Sequence, residues 1–239
     1  MDNKQLTKLL SYFIMGDGGV YVRGKANAAF IMNMLEKNKD YIDWVESVLN
    51  EFVGTKQTKR KDYNTDGCLR QPQIRLESKT HPKLTTLHER IYTGSYKGID
   101  PHALKLLDWE AMSILYMCDG CLHEDKPNPK RGLINSSWNL TLNMKRLSYG
   151  DQLLLKKAIK EVLGVEFNIN RQGKYYYLRL RSKDVVTFCR GVAPYMKESF
   201  KYKIRVIDPS LEEGGDIVCT AQECAEIGGN DQSLNACSE

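Results

Sequence analysis

The sequence predicts an α+β protein made of two copies of one αββαββα unit, with pseudo-two-fold symmetry and the halves packed on each other. Three recurrences carry that prediction. An apolar run ending in Asp-Gly occurs twice, as SYFIMGDG at 11–18 and SILYMCDG at 113–120. A short strand text returns almost unchanged, IRLESK at 74–79 and LRLRSK at 178–183. Ile-Asp-Pro closes each copy, at 99–101 and 207–209. The matches keep their order at offsets of 102, 104 and 108, the pattern of an internal repeat. Neither half alone covers a sheet well, so the two bury against each other. The expected divisions are an N-terminal half at 1–100, a C-terminal half at 101–210 and an acidic tail at 211–239.

Each element follows from local pattern. The first is a helix, apolar from Leu10 to Met15. A strand is centred on Phe30–Met34. Ile42, Val45, Leu49 and Phe52 then recur at helical spacing, with Asp40 at the start and Gly54 where a C-terminal cap belongs. Lys56, Thr58 and Arg60 alternate into a turn at 64–67, and the strand 74–79 returns. After a further helix, Lys97 leads into Ile-Asp-Pro.

The second half repeats this order. Trp138–Lys145 alternates strictly, with Asn139, Thr141, Asn143 and Lys145 on one face and Leu140, Leu142 and Met144 on the other. A helix over 151–163 carries Leu154, Leu155, Ala158, Ile159 and Val162 and stops at Gly164. The hairpin from Phe167 turns at Gln172-Gly173, and Lys203 precedes the closing Ile-Asp-Pro.

Composition narrows the function. The tail from Leu211 holds seven acidic residues and no Lys or Arg. Removing those seven from 30 Asp and Glu leaves 23 against 35 Lys and Arg, a body of charge +12. Such a body suits a polyanion, although charge alone also describes a well-solvated surface. No stretch reaches the ~18 apolar residues of a membrane span, and no secretory leader opens the chain. The seven scattered cysteines suit a reducing compartment. The protein is expected to be soluble and intracellular. Cys118 and Cys121 form C-x-x-C, but no second pair stands at zinc-ribbon spacing.

The repeated carboxylate is the sharpest feature. Asp-Gly after one apolar helix is ordinarily a helix stop, with Gly in a left-handed cap. A carboxylate there also faces the negative end of the helix dipole. Two such ends, brought together by helices that are apolar nearly all round, set Asp17 and Asp119 side by side. Small residues (Ser11, Gly16, Ser113 and Cys118) ease the approach. Paired carboxylates below a basic surface make an oxygen-rich site suited to Mg²⁺ and to phosphodiester chemistry. The polar strand faces carry Lys56, Thr58, Arg60, Arg75 and Glu77 in one half. In the other they carry Asn139, Thr141, Asn143, Lys145, Arg179 and Arg181. Ribbons of this kind suit the major groove of DNA.

The segments LSYFIMGDG (10–18) and MSILYMCDG (112–120) resemble the two copies of the LAGLIDADG motif. Residues 1–210 as a whole resemble the single-chain, two-motif LAGLIDADG homing endonucleases. The resemblance implies a saddle with the motif helices at its centre and two antiparallel sheets straddling double-stranded DNA. It implies a monomer that cuts both strands of a long site, with Mg²⁺ (Mn²⁺ as a substitute) held by Asp17 and Asp119. Backbone carbonyls of Gly16 and Cys118 would add to that site. Lys97 and Lys203 match the family's pocket lysines, and Asn33 and Asn143 the polar residue that orders water. Tyr12 and Ile114 depart from the small residue usual at the third motif position. Some family members have become RNA-binding intron maturases, which need no acids; a transcription regulator on the same scaffold would need an appended DNA-binding module, for which the 29-residue tail is too short. The retained Asp17 and Asp119 favour the nuclease. The tail has no place in the family pattern; it either hangs loosely or lies against the basic body and competes with DNA.

Overall fold

In the computed structural model, the structure describes residues 1–22, 24, 27–60, 71–125 and 137–204. The first half comprises α1 (Asn3–Met15), β1 (Gly18–Val22), β2 (Ala28–Leu35), α2 (Lys39–Leu49), β3 (Thr55–Arg60), β4 (Gln73–Ser78) and α3 (Pro82–Ile91). Two short strands, β5 (Tyr92–Thr93) and β6 (Tyr96–Lys97), and the single turn α4 (Pro101–Leu104) lead to the second half. That half comprises α5 (Trp109–Asp119), β7 (Gly120–Asp125), β8 (Ser137–Leu142), α6 (Tyr149–Leu163), β9 (Phe167–Gln172), β10 (Tyr175–Leu180) and α7 (Val185–Val192). The two four-stranded sheets are antiparallel and share one order, β1-β2-β4-β3 and β7-β8-β10-β9. This is the duplicated α+β architecture that the recurrences predict.

The motif helices form the centre of a core that spans both halves. Leu9 to Met15 of α1 and Ala111 to Met117 of α5 are buried on every side, as an all-apolar helix requires. They run in parallel. Lys8, early in α1, pairs with Asp108 (2.5 Å) and Glu110 (2.8 Å) at the start of α5. Gly16, at the other end, meets Cys118. Burial lowers the Lys8 pKa, but the bonds to Asp108 and Glu110 outweigh it and leave the ammonium above its usual value.

The motif glycines are not left-handed caps. Gly16 and Gly120 have φ of −78° and −82°. Close approach selects them instead. A Cβ on Gly16 would stand 2.6 Å from the Cys118 sulfur, and one on Gly120 would stand 2.0 Å from the Tyr116 ring. Tyr12, fully buried, donates its hydroxyl to the Ala103 carbonyl (3.1 Å) in α4. Its bulk is anchored on the connector between the halves. The first Ile-Asp-Pro has a structural use. Asp100, fully buried, caps α4 through His102 N (2.9 Å) and accepts from Ser11 Oγ (3.0 Å) and Arg90 Nε (3.1 Å).

Three expectations are corrected. Helix α2 ends at Leu49, so Phe52 and Gly54 lie beyond it in the turn that leads to β3. Leu154 and Val162 of α6 are about half exposed, because the helix turns a narrow stripe of Gln152, Leu155 and Ile159 onto its own sheet. Strand β8 stops at Leu142, leaving Lys145 in the following turn. Gly164 does cap α6 in the left-handed conformation (φ 71°). The turn at 64–67, the second Ile-Asp-Pro and the whole of 211–239 lie outside the described residues.

Gly16→Ala is expected to lower stability by about 1–3 kcal/mol through overpacking of the helix seam. Adding Cys118→Ala removes the sulfur that the new methyl meets. Urea unfolding of the double variant should therefore recover part of the loss; no recovery would place the strain elsewhere.

Candidate active site

Asp17 follows directly from α1, and Asp119 ends α5. Asp17 is exposed and Asp119 partly buried. Burial, and next the charge of Asp17, push the Asp119 carboxyl up to about 7, while Lys97, Lys203 and Arg146 pull the other way. The two acids thus share one electrostatic environment although they are 102 residues apart. Cys118 sits beneath them. Its sulfur lies 3.4 Å from the Tyr41 hydroxyl. Burial, followed by the charges of Asp17 and Asp119, holds its thiol well above the usual range, so it stays protonated.

The two lysines occupy matching positions. Lys97 Nζ, at the end of β6, donates to the carbonyls of Ile14 (2.8 Å), Gly16 (2.7 Å) and Gly18 (3.0 Å). Lys203 Nζ, at the end of a 3₁₀ turn over Glu198–Lys203, donates to Met117 and Gly120 (both 2.8 Å) and reaches Tyr116 at 3.4 Å. Each ammonium therefore caps the free carbonyls at the end of one motif helix and offsets its dipole. Burial lowers both lysine pKa values.

Among the described residues no group of three or more His, Cys, Asp or Glu is placed to hold a metal. Two carboxylates suit a hard cation that keeps several waters, the usual manner of Mg²⁺. The Gly16 carbonyl is already engaged by Lys97, leaving one lone pair for a further ligand. The residues present fit such an ion.

Strand register decides which side chains share the outer face of each sheet. In the first half Asn33 stands opposite Arg75, Arg75 opposite Thr58, and Glu77 opposite Lys56. Arg60, opposite Gln73, is on the same face by register. Arg75 also lies 3.4 Å from Glu77, which Tyr21 of β1 bonds. In the second half Thr141 stands opposite both Cys121 and Arg179, and Asn139 opposite His123. Asn139 and Thr141 are nevertheless buried. Arg181 lies beyond β10, ion-paired with Glu166 at 2.7 Å. Asn143 is exposed and donates its N–H to the Asp119 carbonyl (2.8 Å).

Other face residues escaped the sequence reading. Asn168 pairs with Arg179, Asn170 with Tyr177 and Gln172 with Tyr175 across β9 and β10, and Gln73 is opposite Arg60. The period-two alternation of Asn168, Asn170 and Gln172 was a signal for them. Arg146 carries no periodic signal, because it sits in the turn after β8. A cleft of about 460 Å³ brings it together with Asp17, Asn33, Tyr92, Tyr96 and Lys97.

The family model of the LAGLIDADG DNA endonuclease family matches residues 10–188. The fold is similar to that of the homing endonuclease I-WcaI bound to its DNA recognition sequence, with a TM-score of 0.68 at 18% identity over 84% of this chain and 86% of that one. It is also similar to the meganuclease I-SmaMI bound to uncleavable DNA, with a TM-score of 0.53 at 11% identity over 84% and 88% of the two chains. An uncharacterized protein of Methanocaldococcus jannaschii, MJ1098, is 26% identical over 218 residues, covering 87% of this chain and 77% of that protein.

The raised Asp119 pKa has a stability consequence with a defined sign. Between about pH 4 and about pH 7 the folded chain keeps a proton that the unfolded chain has released. The contribution of this carboxyl therefore falls as pH rises through that window and is gone above it. Without divalent cation, Asp119→Asn should unfold at higher urea than the parent at pH 8 and level with it near pH 4. Equal midpoints at pH 8 would contradict the coupling.

Proposed function

Because the chain belongs to the LAGLIDADG DNA endonuclease family, we propose that it is a site-specific double-strand DNA endonuclease acting as a monomer on a long recognition site. One observation carries the reading. Two parallel buried helices end in Asp17 and Asp119, each beside a lysine-capped terminus and between two sheets whose outer faces are polar. In this reading each half, 1–100 and 101–210, supplies one acid and one lysine. The acid pair is also what separates a nuclease from an RNA-binding maturase on the same scaffold.

Each residue then has a task. Asp17 and Asp119 would hold Mg²⁺. That ion, when bound, polarises a phosphoryl oxygen and lowers the pKa of water. Lys97 and Lys203 place positive charge beside the scissile phosphates, where charge builds up as the bond breaks. Asn33, exposed in the cleft, and Asn143, next to Asp119, orient water. Lys56, Thr58, Arg75 and Arg179 contact bases and phosphates along the two sheets.

Cleavage of a randomised duplex library, with sequencing of the ends, tests the activity and reads the site. Asp17→Asn and Asp119→Asn should each abolish double-strand cutting while binding to the recovered site stays within a few-fold. Full cutting by either would defeat the mechanism. Lys97→Met should slow cutting by about 10²-fold. Binding of the parent should weaken steeply with salt, since each phosphate contact adds about 0.9 to the slope of log K against log salt; a flat salt response would remove the duplex interface.

A further inference from the structure

The turn that follows the second strand differs in charge between the two halves. Each half carries an asparagine near the end of its second strand, Asn33 within β2 or Asn143 just after β8, five residues before a helix N-cap, Asn38 or Ser148. In that frame Arg146 corresponds to Glu36, each two residues before the cap. The halves brace each other at these turns. Tyr96, next to Lys97, accepts from Ser148 N (2.6 Å) and bonds the Asp151 carboxylate. On the other side Ser199, on the turn that carries Lys203, donates its N–H to Asp40 (3.0 Å). The turn Glu36–Asn38 packs on that same segment.

The braces therefore deliver opposite charges. The second half places exposed Arg146 in the cleft of Asp17, Asn33 and Lys97. Its charge reaches Asp119, Lys97 and Tyr92. No carboxylate pairs with its guanidinium among the described residues. The equivalent Glu36 is an acid, already paired with Lys59. A fork of N–H donors open to a cleft is suited to a phosphate.

We propose that Arg146 is a phosphate-binding residue that the second half lends to the Asp17–Lys97 pocket, so that this pocket cuts its strand before the Lys203 pocket cuts the other. The proposal rests on the endonuclease reading and adds an order to it.

The test is a time course on a duplex recovered from the cleaved library, with a different fluorophore on each strand. The parent should accumulate a nick in one strand. Arg146→Gln should slow that strand about tenfold and the other less than twofold. Lys97→Met should slow the same strand, and Lys203→Met the other. Equal slowing of both strands, or no slowing, overturns the proposal. So does Arg146→Gln acting on the strand that Lys203→Met slows. If the parent cuts nothing in the library, the endonuclease reading fails. Arg146 is then judged by binding to one fixed duplex across a salt series. Loss of about one unit of slope in Arg146→Gln supports the phosphate contact, and an unchanged slope overturns it. Arg146 is exposed, so the variant should keep the parent's thermal midpoint, which circular dichroism verifies.

Discussion

Everything at the centre of this protein depends on bringing the C-terminal ends of two buried helices together. The arrangement is electrostatically unfavourable. Two helix dipoles present their negative ends, and each end carries a carboxylate. The cost is visible in Asp119, whose carboxyl burial and Asp17 raise to about 7. The surroundings offset it with cations. Lys97 and Lys203 cap the exposed carbonyls, and Arg146 adds a third charge from a loop. A bound divalent cation would be the remaining compensation. A site strained in this way, held by packing around it, is the usual compromise between stability and function.

The packing that holds the site is asymmetric along the helices. At their N-terminal ends, Lys8 joins Asp108 and Glu110, and Gln5 donates to Glu110 at 2.6 Å. At their C-terminal ends, Gly16 and Cys118 are in contact without space for another methyl. Between them the seam is apolar and wholly buried. Polar groups thus define which ends of the helices lie together, and small residues define how near they come. Tyr12 avoids spoiling the approach by bonding the connector at Ala103.

The halves are locked by more than their helices. Asp100 ties α1, α3 and α4 together, the Tyr116 hydroxyl reaches the Lys203 carbonyl at 2.8 Å, and each half braces the lysine-bearing segment of the other. Such braces hold the lysine-bearing segments in place beside the acids.

The recurrence of an apolar run closed by Asp-Gly, and the matching order of strand and Ile-Asp-Pro, were enough to establish the duplication, the fold and the paired acids. Alternation placed Arg75, Glu77, Thr58 and Lys56 on one face, because a strand's period is two whatever lies around it. The rest needed three dimensions. The glycines of the motif serve close approach and not a left-handed turn, which depends on where Cys118 and Tyr116 sit. Asn139 and Thr141 are polar on the expected face yet buried, which the alternation alone could not show. Arg146 belongs to a turn with no periodicity, and it enters the other half's cleft where Tyr96 bonds Ser148 and Asp151. Local pattern determined which residues alternate and which repeat; distances between segments a hundred residues apart were decided by tertiary packing alone.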